Sequence, residues 1–367
     1  MSTTTFHHGT PTLAADGQAT VHCPDELLER YQKVVDGQRM SWTEHLHLTR
    51  RLGSGGQGVV YLSQRRGTDN FTLPVALKIF SPARYEDARA YEEAMGRIAQ
   101  VAARVAQIQQ DNLLDVHNFV ERNRIRIMEM EWVDGFDLAN LLTNDTFDRT
   151  RERVSNRRWE YLNNVIVTTG PVQPRFKPGV AVAVTRECLA ALAALHRDGI
   201  VHSDLKPSNI MVKRTGNAKI VDIGSAFELN NLPDQRTCTP TYAALEILEG
   251  SECTPRSDLA SLGYVLIEML SGRPPFAGLT TYKELLEAKR MLPQRLSQIL
   301  PQEVVCNELL MSFCRGLIAP DPMRRFPSAE AADTVKEGAA SFHRQLIKGD
   351  LASEYENELR LWLEELD

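Results

Sequence analysis

The spacing of apolar positions divides the chain into two unlike halves. After a polar start, Leu27, Leu28, Tyr31 and Val34 fall at helical intervals and predict one short amphipathic helix. From Leu46 the period drops to two. Leu46, Leu48 and Leu52 lead into a glycine cluster and Val59, Val60 and Leu62 lead out of it, which predicts two strands joined by a tight turn. Val75, Leu77 and Ile79 alternate as a third strand, and Phe119-Val120 with Ile125-Arg126-Ile127 predict a hairpin. Between these, Met95, Ile98, Ala102, Val105 and Ile108 predict a long helix over residues 86–110. Farther on, residues 182–196, 257–270, 282–290 and 304–317 read as helices, with two short apolar runs at 209–212 and 218–221. Strands followed by helices predict an α+β chain in two lobes, 42–132 and 133–340. Residues 1–41 form an arm with its short helix. Residues 143–178, rich in arginine and then proline, read as a solvated insert or a functional connection. Residues 341–367 end the chain in an acidic amphipathic helix built on Leu359, Leu361, Trp362, Leu363 and Leu366. Docking of that helix on its own large lobe is the first expectation; a regulatory partner bound there or at the insert is the alternative.

Composition narrows the class. With 43% hydrophobic and 25% charged residues the chain is globular rather than disordered. A net charge of −6 argues against nucleic acid as an obligatory partner, since phosphate backbones demand basic surface. The longest apolar stretch, residues 179–195, is interrupted by Thr185-Arg186-Glu187, so no membrane span is expected. The N-terminus lacks the apolar core of a secretion signal. The six cysteines show no C-x-x-C and no ligand-like spacing with histidine, and the His7-His8 pair stands alone. Reduced thiols in the cytoplasm are the expectation.

Four segments carry chemistry. Gly53-Ser54-Gly55-Gly56-Gln57-Gly58 follows the first strand of the hairpin, where glycines let backbone N–H groups approach phosphate oxygens. A strand follows rather than the helix a dinucleotide fold requires, and then Val75-Ala76-Leu77-Lys78. In Val201-His202-Ser203-Asp204-Leu205-Lys206-Pro207-Ser208-Asn209 a carboxylate precedes an amide by five residues. Val221-Asp222-Ile223-Gly224 supplies a second carboxylate before a glycine. Phosphoryl transfer uses these parts: a base for the acceptor hydroxyl, oxygen ligands for Mg²⁺ and a cation on the phosphates.

In this order, the motifs make the chain resemble the eukaryotic-like (Hanks-type) Ser/Thr protein kinases over about residues 48–335, a soluble and bacterial member of them. The resemblance implies a small β-sheet lobe over a helical lobe, with ATP and Mg²⁺ (or Mn²⁺) as cofactors. It implies phosphorylation of serine and threonine hydroxyls on a protein substrate, autophosphorylation included. By position, Asp204 resembles the catalytic base and Lys206 its phosphate-stabilising partner; Asn209 and Asp222 resemble the metal ligands and Lys78 the phosphate anchor. Leu52, the glycine-rich residues 53–58, Val60 and Ala76 would cover the nucleotide, and Met211 would form its floor. Met130 sits at the gatekeeper position, Glu131-Trp132-Val133 at the adenine-reading hinge, and Asp137 at a ribose-binding position. Thr239, in Cys238-Thr239-Pro240-Thr241-Tyr242-Ala243-Ala244-Leu245-Glu246, matches the threonine that bonds the base. Glu246 should pair with Arg325, and Asp258 should hold the catalytic-loop backbone.

The chain departs from the family at several points. Ser203 replaces the usual arginine before the base, implying activity without a phosphorylated activation segment. Ile223 replaces a phenylalanine, Cys238 a glycine and Leu245 a proline. The helix glutamate expected to pair with Lys78 is ambiguous: counting forward gives Glu92 or Glu93, while counting back from Asp111-Asn112 gives Val101. A helix longer by two turns at its C-terminal end reconciles the counts on Glu93. Two rival readings keep the fold, a pseudokinase acting as an interaction module and a small-molecule kinase.

Overall fold

The computed structural model describes residues 4–7, 25–37, 39–40, 46–67, 69–233, 235–279, 281–347 and 355–366. Most of the N-terminal arm, with His8 and Cys23, lies outside them, as do Asp350, Glu354 and Asp367 of the acidic tail. The chain begins with β1 (Thr4–His7) and α1 (Asp25–Asp36), the short helix expected from Leu27 and Val34, both buried. The small lobe adds β2 (Arg39–Met40), β3 (Leu46–Gly55), β4 (Gly58–Arg66), β5 (Thr72–Phe80), α2 (Ala88–Val105), β6 (Val116–Arg122) and β7 (Ile125–Glu131). Its strands form one antiparallel sheet in the order β2-β3-β4-β5-β7-β6.

The second half of β5 is buried on both faces, from Val75 to Phe80, which is why an alternating strand also reads as a continuous apolar run broken by Lys78. α2 lies against the sheet through Tyr91, Met95, Ala102 and Val105. Tyr91 Oη accepts from Arg126 N at 2.8 Å and donates to Phe80 O at 3.2 Å, fastening the helix to two strands. The helix starts where the Asp87 side chain caps Ala90 N at 2.7 Å. It stops at Val105, five residues before the expected end at 110. Tight bonds from Gln107 N to Arg104 O and from Ile108 N to Val105 O close its last turn, which keeps Ile108 on the apolar face without continuing the helix.

The large lobe follows with β8 (Gly135–Asp137), α3 (Leu138–Leu141), α4 (Asn144–Arg153), α5 (Asn156–Val165), β9 (Val167–Thr168), β10 (Arg175–Phe176), α6 (Pro178–Arg197), β11 (Ile200–Val201), β12 (Ile210–Lys213), β13 (Ala218–Ile220), β14 (Phe227–Glu228) and β15 (Gln235–Cys238). Helices α7 (Leu245–Leu248), α8 (Pro255–Ser271), α9 (Tyr282–Ile299), α10 (Gln302–Val305), α11 (Glu308–Ile318), α12 (Ala329–Thr334), α13 (Ala339–Ile347) and α14 (Tyr355–Glu365) complete it. The large lobe is centred on α8, almost wholly buried, and on α6, most of whose residues are buried. By length and composition α6 could cross a membrane, but its residues are mostly packed inside this lobe. The helix expected over 304–317 is two, because Asn307 caps a new start by accepting from Leu310 N at 3.0 Å.

Residues 143–178 are not a solvated insert. They fold as α4, α5 and the β9–β10 pair, with Phe147, Leu162 and Phe176 buried. Thr143 and Ser155 are their N-caps, a signal present in the sequence. The C-terminal helix α14 docks on them. Trp362 is fully buried, donates from Nε1 to Thr150 Oγ1 at 3.1 Å and meets the Phe176 ring edge-on at 6.1 Å. Arg158 bridges Glu358 and Glu365 at 2.7 and 2.8 Å.

Candidate active site

The glycine-rich turn joins β3 to β4, with Gly55 opposite Gly58. Gly58 has φ +139°, and a Cβ there would lie 2.0 Å from Ile79 O, so only glycine lets the hairpin close onto β5. A Cβ on Gly53, Gly55 or Gly56 would meet nothing within 4 Å; the protein's own packing does not demand those glycines. Leu52 and Ser54, beside them, are exposed. Across the ladder Val60 lies opposite Lys78, and Ala76 lies opposite Met130. Met211 on β12 lies opposite Asp137 on β8. These registers bring the expected nucleotide-covering residues, gatekeeper and floor to the junction of the lobes. Asp137 also caps α3, accepting from Asn140 N at 2.9 Å. At the hinge Val133 is buried. The Glu131 carboxylate pairs with Lys219 and accepts from Asp115 N at 2.7 Å, while its backbone N–H donates to Asp115 O at 3.0 Å. Glu131 is therefore built into the junction of the hinge.

The catalytic loop is held from below. Asp258, buried at the start of α8, accepts from His202 N at 2.9 Å and Ser203 N at 2.8 Å, and His196 Nε2 lies 2.9 Å from the same carboxylate. These contacts hold Ser203 at φ +69°, a left-handed conformation that costs a serine roughly 1–2 kcal/mol. Asp204 follows, itself buried. Its Oδ1 accepts from Thr239 N at 2.9 Å and Thr239 Oγ1 at 2.8 Å, and its Oδ2 accepts from Lys206 Nζ at 2.6 Å. Lys206 also reaches Thr239 Oγ1 at 3.0 Å. Asp204, Lys206 and Thr239 thus form one closed cluster. Asn209 Nδ2 donates to Asp204 O at 2.8 Å, and Asn209 O accepts from Val221 N at 2.9 Å, which sets the amide beside Asp222. Asp222 sits at φ +66°. Its Oδ1 pairs with Lys78 Nζ and accepts from Gly224 N at 3.0 Å. Burial alone would raise its pKa; the Lys78 charge and hydrogen bond, with Gly224, overcome that and bring it down to about 2. Asn209 and Asp222 make an all-oxygen pair of one amide and one carboxylate, the donor set that suits Mg²⁺, which takes its remaining ligands from water and phosphate.

One expected pairing is corrected. Glu93 is exposed and bonds Arg89 at 2.7 Å, one turn back on α2, and Glu92 pairs with Arg124 at 2.8 Å. Neither meets Lys78, which instead donates to Gln57 Oε1 at 2.6 Å. The structural pairings expected elsewhere are present. Arg325 grips Glu246 through two bonds of 2.6 and 2.7 Å, with Ser257 Oγ donating to the same carboxylate. Ile223 is buried. Cys238 is buried too, and burial pushes its thiol pKa up, away from thiolate chemistry.

Lys289 on α9 is a residue the sequence reading did not single out. It is fully buried, 4.0 Å from the Tyr264 ring centroid and 4.1 Å from that of Phe276, and it donates to Thr241 O at 2.8 Å. It thereby fastens the segment after Thr239. Helical spacing already sets it on the inward stripe of Leu285, Leu292 and Leu296; what only the fold supplies is the pair of rings and the carbonyl that receive its charge.

Comparison with known proteins agrees with this geometry. The protein kinase domain model matches residues 46–335. The chain is 33% identical over 287 residues to serine/threonine-protein kinase PknD of Mycobacterium tuberculosis, covering 77% of this chain and 38% of that protein. It is 28% identical over 301 residues to serine/threonine-protein kinase PrkC of Bacillus subtilis, covering 80% of this chain and 40% of that one. The chain therefore spans well under half the length of these curated relatives. With the domain match extending over most of its length, and the two lobes and motif residues arranged as described, the chain belongs to the protein kinase domain family.

Proposed function

We propose that this chain is a serine/threonine protein kinase. The observation that carries the reading is the closed cluster of Asp204, Lys206 and Thr239. In it a buried carboxylate, oriented by three donors, sits beside a lysine where an acceptor hydroxyl and a moving phosphoryl group would meet. Asp204 takes the proton of the attacking hydroxyl. Lys206 offers its charge to the transferred group, and Thr239 fixes the carboxylate's orientation. Lys78 anchors the nucleotide phosphates, and Asn209 and Asp222 would hold Mg²⁺. When bound, Mg·ATP supplies the phosphoryl group and neutralises its charge. The glycines that packing does not require, Gly53, Gly55 and Gly56, support phosphate approach from the hairpin. Ser203 before the base supports activity that needs no phosphorylated activation segment.

We extend the proposal to autophosphorylation. β1, from the threonine-rich N-terminus, pairs antiparallel with β15, with Thr4 opposite Cys238, next to Thr239. A hydroxyl-bearing strand therefore runs along the substrate-receiving segment. Cys188, Cys238, Cys306 and Cys314 are free thiols, which supports a cytoplasmic setting. The test is incubation with γ-labelled Mg·ATP beside Asp204→Ala and Asp222→Ala. Label on serine or threonine, lost in both variants, is expected. One observation favours a pseudokinase: no helix carboxylate meets Lys78. A thermal shift with ATP but no transfer, with Mn²⁺ and a basic protein also offered, would establish that reading instead.

A further inference from the structure

The inward stripe of α2 carries no carboxylate. Tyr91, Met95, Ile98, Ala102 and Val105 fill it. At about 100° per residue, Glu92 and Glu93 lie roughly 100° and 160° round the helix from the middle of that stripe. Both are engaged on the outside, with Arg124 and Arg89. Sliding or tilting the helix does not turn a residue through such angles. A rotation that did would draw Tyr91 and Met95 out of the core and break both hydrogen bonds of the Tyr91 hydroxyl. No rigid shift of α2 therefore delivers an acid to Lys78.

Gln57, at the tip of the glycine-rich hairpin, meets the lysine instead. Its Oε1 accepts from Lys78 Nζ at 2.6 Å, and its Nε2 donates to Ser225 Oγ at 2.8 Å. One carboxamide ties together the hairpin, β5 and the segment after Asp222. The cluster closes over Gly224, where an added Cβ would lie 2.1 Å from Gln57 Oε1, 2.6 Å from Lys78 Nζ and 3.0 Å from Asp222 Oδ1. A side chain there would push all three apart.

We propose that Gln57 is the positioning residue for Lys78 in place of a helix carboxylate, so that closure of the β3–β4 hairpin, rather than the placement of α2, aligns the lysine with the nucleotide phosphates. The inference deepens the kinase reading and rests on it. Gln57 holds the ammonium without adding a negative charge beside the phosphates, and it leaves Asp222 as the carboxylate partner of Lys78 among the described residues. Lysine orientation and hairpin closure then become one event, since the same hairpin carries the phosphate-approaching glycines.

The test is steady-state phosphorylation of a peptide with ATP varied, for the wild type and for Gln57→Ala, Gln57→Met, Glu92→Ala, Glu93→Ala and Lys78→Met. Gln57→Ala and Gln57→Met should each lose about tenfold in kcat/KM for ATP, the size expected for a hydrogen bond to a charged group. The loss should fall mainly on KM, with the unfolding midpoint unchanged. Glu92→Ala and Glu93→Ala should stay within about twofold of wild type, as surface pairs do. Wild-type kinetics in Gln57→Ala, or a helix-glutamate variant as inert as Lys78→Met, would overturn the proposal while leaving the kinase reading standing. A fully active Lys78→Met would instead remove the phosphate anchor from that reading, and the role of Gln57 with it.

Discussion

Asp258 should govern catalysis without touching nucleotide. Its two oxygens accept from the consecutive N–H groups of His202 and Ser203 and from His196, and those bonds keep Ser203 left-handed. In Asp258→Asn one acceptor oxygen becomes an NH₂ group facing a backbone donor. That removes a charge-assisted bond worth about 1.5–3 kcal/mol and leaves a buried N–H unpaired. The roughly 1–2 kcal/mol stored at Ser203 is then no longer opposed, and the loop relaxes. Asp204 is the next residue, so a shift of about 1 Å there should cost on the order of a hundredfold in kcat. Lys78, Asp222 and the hinge belong to other segments, so the dissociation constant for ATP should hold. The assay pairs kcat on a peptide with calorimetric ATP binding. A kcat within threefold of wild type in a folded Asp258→Asn protein would refute the claim that this carboxylate sets the loop.

Three further outcomes follow from the same structure. The pKa of Asp222 is depressed, so its pairing stabilises the fold above the ordinary carboxylate value of 3.8 and is lost as pH falls toward about 2; acid denaturation of Asp222→Asn against wild type should show a stability gap that is constant near neutrality and closes over that window. Lys289→Met keeps the buried stem but removes the donor to Thr241 O, and should lower kcat/KM for the protein substrate about tenfold with KM for ATP unchanged, read by varying each in turn. Trp362→Ala should cost about 3–5 kcal/mol. At about 2.1 cal/mol/K per residue over 367 residues this lowers the unfolding midpoint by roughly 4–6 °C, measured by calorimetry; an unchanged midpoint would mean α14 is not docked in solution.

In the small lobe β5, its second half buried on both faces, was legible as an apolar run broken at Lys78, and its neighbours as short alternations around the glycine-rich turn. Residues 143–178, by contrast, read as a solvated insert or a functional connection. Their arginines dominate a linear reading, and their few apolar anchors gain meaning only in the fold, where Phe147 meets Trp159 and Phe176 meets Trp362. Thr239, 35 residues from Asp204, entered only through the family resemblance, whereas the catalytic loop was legible because its chemistry demands Asp204, Lys206 and Asn209 within a few residues of one another.

The partner of Lys78 was not, and the reason is geometric. Lys78, Gln57 and Asp222 lie on three segments far apart in sequence, and which of them meet depends on how the hairpin closes and on which face α2 turns inward. Counting residues along α2 locates a glutamate without revealing that it faces solvent. Lys289 shows a related limit: its spacing sets it on the inward stripe of α9, but the two aromatic rings and the Thr241 carbonyl that receive its charge come from elsewhere in the lobe. The sequence by itself determined the local elements, the fold class and the short-range catalytic loop, because those depend on periodicity and on contacts between near neighbours. Tertiary structure alone decided which charged groups pair, since an ion pair forms through space between side chains whose directions are fixed only when whole elements pack.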